Sequence, residues 1–177
     1  MAKKTDTQHI IREAKPNEYQ KIGELMVTTY SQLKDFPNQQ EIPEYYKMLT
    51  NIGELTKKPK ARLLVCVSST NDIMGGVVYF GDMQYYGSGG SATKEKQAAG
   101  FRLLAVSHDF RKRGIGRLLT KACIEIGKTE KQKQIIIHST KAMQIAWDMY
   151  EKMGFTRSED LDFTVDNLIV FGFRLYL

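Results

Sequence analysis

"GFRLLAVSHDFRKRGIGRLLTKACIE", residues 100–125, changes its periodicity twice, and those changes decide the fold. Residues 100–107, "GFRLLAVS", read as a strand. Charges and glycines then interrupt the apolar run. From residue 113 to 128, Ile115, Leu118, Leu119, Ala122 and Ile126 return at helical spacing, which predicts an amphipathic helix. "KQIIIHS" (133–139) follows, and three successive isoleucines suit a strand covered on both faces. Strand, helix and strand in this order imply a right-handed crossover between parallel neighbours.

Working outward, "HIIREA" (9–14) is an opening strand, and a helix is expected over 16–33 with Ile22, Leu25, Met26, Thr29 and Leu33 on one face. Pro43 opens a second helix, which Pro59 closes, with Tyr45, Met48, Leu49, Ile52 and Leu55 as its stripe. "ARLLVCVS" and "IMGGVVYFGDM" flank the turn "STND" as a hairpin. Residues 83–98 show no apolar period and are expected to be a long loop, functional or mobile. "AMQIAWDMYEKMGF" is a helix stopped by Gly154, and "LDFTV" and "LIVFGFRLYL" are closing strands. The fold class expected is α/β, a mixed sheet of about six to seven strands with helices on both faces.

Size and composition set outer bounds. A chain of 177 residues suits a single domain over 1–177, with the polar residues 1–8 expected to be flexible. The longest apolar run is about six residues, near "LIVFGF", against the ~18 that a membrane span needs, so no membrane partner is expected. "MAKKTDTQ" carries no secretory signal pattern. Cys66 and Cys123 stand apart inside apolar runs and match no metal-ligand spacing, so no metal is expected. Two buried thiols fit a cytoplasmic protein. The net charge of +6 favours acidic partners in general without singling out nucleic acid.

"FRKRGIGR" (110–117) packs four positive charges and two glycines between a strand and a helix. Unpaired N–H groups and the helix dipole make such a place attractive to an anion, and glycines let the backbone come close. It is neither a P-loop nor a dinucleotide fingerprint, because Leu119 stands where the third glycine would be. A basic patch for nucleic acid and a phosphate cradle both fit these charges.

The flanks add specificity. Leu104-Ala105-Val106, then Arg111, Gly114 and Gly116, then Arg117-Leu118-Leu119 resemble the acetyl-CoA motif of the GNAT superfamily of N-acetyltransferases. Ala146, Tyr150, Glu151, Lys152, Gly154 and Phe155 resemble its second motif, and the likeness extends over about residues 9–177. The resemblance implies a partly splayed, GNAT-like sheet and acetyl-CoA as cosubstrate. Its pyrophosphate would lie on the backbone of Arg111, Lys112, Arg113, Gly114, Ile115, Gly116 and Arg117. Its pantetheine arm would run along Leu104, Ala105 and Val106. The thioester would sit where the two central strands part, its carbonyl polarised by the Val106 N–H. With this resemblance the nucleic-acid reading recedes, and a small-molecule or peptide amine becomes the expected partner, with a homodimer left open.

Tyr150 falls at the position of the general acid that protonates the leaving thiolate. Many relatives carry a glutamate base on the strand before the L-x-V, where this chain reads Ala99-Gly100-Phe101-Arg102. Neutralising a lysine-like amine of pKa ~10.4 at pH 7 costs ~4.6 kcal/mol, against ~1.4 for an α-amino group near 8. A site without a strong base therefore suits a low-pKa amine. His138, ending the 133–139 strand, is the candidate base by its unperturbed pKa of ~6.5, with a satisfied strand-end histidine as the alternative. Asp82 and Glu95 are weaker candidates, and His108 and Asp109 read as loop residues. Met143 replaces a usual asparagine, so one polar contact to the pantetheine arm would be missing or supplied by Ser139 or Thr140. Two readings follow: an acetyl-CoA-dependent N-acetyltransferase, or an acyl-CoA-binding or regulatory module with little turnover.

Overall fold

The computed structural model describes residues 8–177. The parallel pair implied by the crossover is present. β4 (Ala98–Val106) and β5 (Gln134–Ser139) run side by side, joined by α3 (Ile115–Thr129). Before them come β1 (Ile10–Glu13), α1 (Tyr19–Ser31), α2 (Pro43–Thr50), β2 (Ala61–Val67) and β3 (Ile73–Phe80). After them come α4 (Gln144–Lys152), β6 (Thr156–Arg157), β7 (Phe163–Val165) and β8 (Leu168–Tyr176). Among the described residues the sheet has eight strands in the order β1-β2-β3-β4-β5-β8-β6, with β7 paired to β8 off that path. Every pairing but β4–β5 is antiparallel. Of the first eight residues, expected to be flexible, only Gln8 lies within the description.

Alternation along the strands sorts side chains onto the two faces. Leu63, Val65, Val67, Val78, Phe80 and Ile136 pack with Ile22, Met26 and Leu49 of α1 and α2. Leu64, Cys66, Val77, Tyr79, Ile135 and Ile137 pack with Leu119 and Cys123 of α3 and Tyr150 of α4. The isoleucine run thus divides between both faces, with all three buried, and each such side chain contributes about 1.5–3 kcal/mol relative to exposure.

Boundaries differ from the expected ones in three places. α2 ends at Thr50, and Ile52–Lys57 continues as a 3₁₀ turn, because Asn51 leaves helical geometry and Gly53 presses on the Tyr19 ring. Residues 83–98 are not a free loop: short turns at Met83–Tyr85 and Ala92–Lys94 bury Met83, Tyr86 and Ala92. The two-residue strand β6 is too short to leave a period in the sequence.

Two arginines tie the C-terminal half together. Arg174, nearly buried in β8, bonds Asp160 at 2.7 Å, Glu95 at 3.0 Å and Gln134 at 2.9 Å. Arg157 grips Asp162 in a two-pronged ion pair at 2.9 and 2.7 Å and lies over Trp147, Phe171 and Phe173. Both fork geometries give direction as well as charge. Residues 158–162 are thereby strapped across the sheet beside the end of β5.

Gly100 forms the last rung between β4 and β5, opposite Ile136. A Cβ there would lie 2.7 Å from the Tyr86 ring and 2.8 Å from the Ile136 carbonyl oxygen. Gly100→Val is therefore expected to lower unfolding free energy by at least the ~1–3 kcal/mol of an overpacked core, read from the urea midpoint. A midpoint equal to the parent's would show that Tyr86 yields freely.

Candidate functional site

The central strands part soon after they pair. β4 and β5 are joined only from Ala98–Gln134 to Gly100–Ile136. Beyond that rung β5 stays on β8 as far as Ser139, while β4 stays on β3 as far as Val106. The parting is marked by Leu103, whose φ of 62° is left-handed, and by a register shift opposite Gly76 and Val78. Such a bulge bends the strand and puts two consecutive side chains on one face. Here they are Arg102 and Leu103, which both line the cavity in the wedge.

Ser107 N–H donates to Met74 O at 2.9 Å, so it faces β3. By alternation the backbone N–H and C=O groups of Val106 and Leu104 face away from β3, into the wedge. The Tyr30 hydroxyl, donating to Leu104 O at 3.5 Å, meets that edge from α1.

The cradle expected at residues 111–117 follows directly. Lys112 and Gly114 adopt left-handed φ values of 61° and 76°, and Gly114 caps α3 without a side-chain partner. Among the described residues no backbone carbonyl accepts from the N–H groups of residues 112–117. Left-handed residues alternating with ordinary ones aim such groups into a concavity that takes anions. A Cβ on Gly114 would meet nothing within 4 Å, so that space belongs to no part of the protein. Gly116 lies against Met149, Val106 and Leu104, with its virtual Cβ 3.6–3.8 Å from them, which sets the cradle beside the open edge of β4. These features fit the pyrophosphate and arm of an acyl-CoA.

On the other side of Leu103 the wedge opens into a cavity of about 690 Å³. One wall is aromatic: Tyr30, Phe36 and Tyr45 meet edge-on at ring separations of 5.7–5.9 Å. Burial raises the Tyr30 hydroxyl well above its ordinary pKa and pushes Tyr45 up to about 12, with the positive charge of Arg102 pulling both the other way. The opposite wall carries His138, Ser139 and Thr140 at the end of β5. The Ser139 and Thr140 hydroxyls are buried without a hydrogen-bond partner among the described residues. Either is free to supply the polar contact that Met143 lacks.

Tyr150 projects from α4 into the packed layer beneath the wedge, edge-on to Phe101 at 5.8 Å and Phe155 at 5.7 Å. Its hydroxyl has no partner among the described residues, and burial raises its pKa, with Cys123 and Tyr86 adding in the same direction. It holds its proton at any working pH.

His138, the expected base, lines the cavity, but both ring nitrogens are engaged. Nε2 lies 2.9 Å from Leu161 O, which can only accept, so Nε2 carries the proton. Nδ1 therefore accepts from the Tyr86 hydroxyl at 3.0 Å. Burial lowers the ring's pKa to about 4. Accepting a proton directly from a substrate would require Tyr86 to turn away first. Asp82 caps the turn after β3, and Glu95 is bound to Arg174, so neither faces the cavity. His108 and Asp109 are exposed. Arg102 also lines the cavity, and sequence reasoning did not single it out; its signal was a lone charge inside an apolar strand.

Residues 10–155 match the Acetyltransferase (GNAT) family. No curated protein sequence matches the chain. Solved structures with a similar fold include an acetyltransferase of GNAT family from Staphylococcus aureus Mu50, at 13% identity and TM-score 0.71, covering 96% of this chain and 99% of that one. A GCN5-related N-acetyltransferase from Kribbella flavida gives 16% identity and TM-score 0.68, covering 96% and 98%. A spermidine N-acetyltransferase from Vibrio cholerae, in complex with CoA and spermine, gives 15% identity and TM-score 0.63, covering 96% and 95%.

The histidine's pKa fixes a stability prediction. At about 4 when folded and ~6.5 when unfolded, the unfolded chain takes the proton first as pH falls. The stability from neutral His138 is complete above ~6.5 and is lost towards 4, an effect on the order of 3 kcal/mol. The melting temperature should fall across that window, and His138→Gln should flatten the fall. Parallel curves for the two proteins would mean that the ring protonates freely in the fold.

Proposed function

Because the chain belongs to the acetyltransferase (GNAT) family, we propose that it moves an acetyl group from acetyl-CoA to a primary amine of a small molecule or a peptide N-terminus. The observation that carries this reading is the run of unpartnered N–H groups at residues 112–117, set beside the open edge of β4. In this reading the chain acts as a single acetyltransferase domain. Its buried free thiols suit a reducing compartment such as the cytoplasm. No helix of the described residues is long and apolar enough to cross a membrane.

Acetyl-CoA supplies the activated acyl group; the chain's residues bind it and handle protons. The N–H groups of residues 112–117 hold the pyrophosphate, with Arg111, Lys112, Arg113 and Arg117 adding charge. The main chain of Leu104, Ala105 and Val106 orients the arm as an added strand would. The Val106 N–H points at the thioester oxygen, where a donor aimed at developing negative charge lowers the barrier by ~2.7–4 kcal/mol. The incoming nitrogen forms its bond to the acyl carbon as the bond to sulfur breaks. The amine gives up one proton and the sulfur gains one. Tyr150 donates to that sulfur. Its raised pKa makes it a hydrogen-bond donor first and a proton donor late in the step.

The amine side works without a strong base. With Nδ1 held by Tyr86, His138 serves in its neutral form, orienting Tyr86 and the 158–162 strap; it accepts a proton only after its Tyr86 bond is released. The amine's proton then leaves through water, which favours acceptors of low pKa. The same engaged histidine favours the second reading, a module that binds acyl-CoA with little turnover. CoA release from acetyl-CoA over a panel of amines separates the two.

Gly114→Glu should abolish acetyl-CoA binding in calorimetry while the protein stays folded, because its side chain enters open space and brings negative charge to the cradle; the left-handed φ of 76° should lower the melting temperature by a few degrees. Unchanged affinity would move the cradle elsewhere. Tyr150→Phe keeps the ring and its packing but removes the donor, and general acids are worth ~10²–10⁴-fold. Turnover should fall by at least the lower figure with acetyl-CoA affinity retained. A loss of only a few-fold would leave water as the donor.

A further inference from the structure

Arg102 is built into the cavity more deliberately than a solvated charge would be. The β4 bulge turns it to the same side as Leu103. Its Nη1 donates to the carbonyls of Tyr86 at 2.9 Å and Gly87 at 3.2 Å. The guanidinium lies over the Tyr86 ring, 5.6 Å from its centroid. The packed segment 83–98 thus holds one prong of the fork and leaves Nε and Nη2 without a partner among the described residues. No carboxylate of the described residues pairs with it, unlike Arg12, Arg157 and Arg174. A half-buried guanidinium with a fixed orientation and open donors is a receptor for a planar oxyanion. Across the cavity, the unpartnered hydroxyls of Ser139 and Thr140 offer further donors.

We propose that the acceptor of this acetyltransferase is a small amine that also carries a carboxylate, and that Arg102 binds that carboxylate. The inference rests on the acetyl-transfer reading above and names its substrate class. A cavity of about 690 Å³ holds a small molecule whole. The other charged lining residues, Asp35, Glu41 and Asp166, are all exposed at the rim. There, solvent and salt screen them, whereas Arg102 is half-buried and less screened. A rim of carboxylates over a single half-buried cation matches a zwitterion: its ammonium is drawn in and its carboxylate is held.

The test is CoA release from acetyl-CoA with free amino acids, each compared with its own carboxamide, and with spermidine as an amine lacking a carboxylate. In the parent, kcat/KM for the acids should exceed that for the carboxamides by about tenfold to a hundredfold, the worth of a hydrogen-bonded charge. Arg102→Gln should raise KM for the acids by that factor and leave acetyl-CoA affinity and the carboxamides unchanged, and Arg102→Lys should recover part of the loss. Acids and carboxamides used equally by the parent, or spermidine preferred, would overturn the inference alone and need no variant to fold. No release from any amine would fell the transfer reading and this inference with it.

Discussion

One residue in a disfavoured conformation organises the central wedge of the molecule. Leu103 sits at φ 62° in the middle of an otherwise extended strand. A branched side chain in that region costs about 1–3 kcal/mol and persists only where its surroundings over-determine it. They do so here. β3 holds the strand on both sides of the bulge, Leu103 is buried against the α1–α2 layer, and Tyr30 meets the neighbouring carbonyl of Leu104. The return on this strain is threefold. β4 leaves β5, an unpaired strand edge is exposed inside the protein, and Arg102 is turned into the cavity. Edges of this kind are a hazard on a surface and a binding surface when enclosed.

Electrostatically the wedge is arranged to stay neutral except at two places. The tyrosines keep their protons and His138 gives its own up, because burial penalises the charged form of each. What remains is the backbone cradle on one side of β4 and Arg102 on the other. Both are positive, and in the proposed reaction each would meet an anionic group away from the reacting atoms. Binding energy from such remote groups can be spent on holding the nitrogen and thioester in line.

The crossover was legible because its signals are local. Isoleucines at 135–137 suit a strand with two covered faces, and Gly154, at φ 96°, stops α4 as its position after the helix predicts. The glycines at 114 and 116 marked a close approach of backbone, and the flanking motif, through its resemblance, turned that into the expectation of a cradle. The bulge was not, since Leu103 has no composition cue: a leucine in a strand is the commonest reading of its neighbours. Arg102 was hidden for the same reason, its direction being set by the bulge rather than by alternation. Segment 83–98 looked free because its burial comes from single residues, Tyr86 above all, docking on a sheet distant in sequence. His138 was placed on the correct wall, but its partners Tyr86 and Leu161 lie 52 and 23 residues away and leave no local trace.

The crowding at Gly100 also bears on how this site could change by descent. The Tyr86 ring and the Ile136 carbonyl fill the volume that any side chain at position 100 would occupy. Tyr86 is itself committed to His138, and its carbonyl to Arg102. A single codon change to an acidic residue there meets a closed door, because the ring must leave first, and its departure would unseat the histidine and the arginine together. Under the proposed reaction the lineage would be held to acceptors that shed their proton easily, and its diversification would run through the cavity walls, where one substitution can be tried at a time.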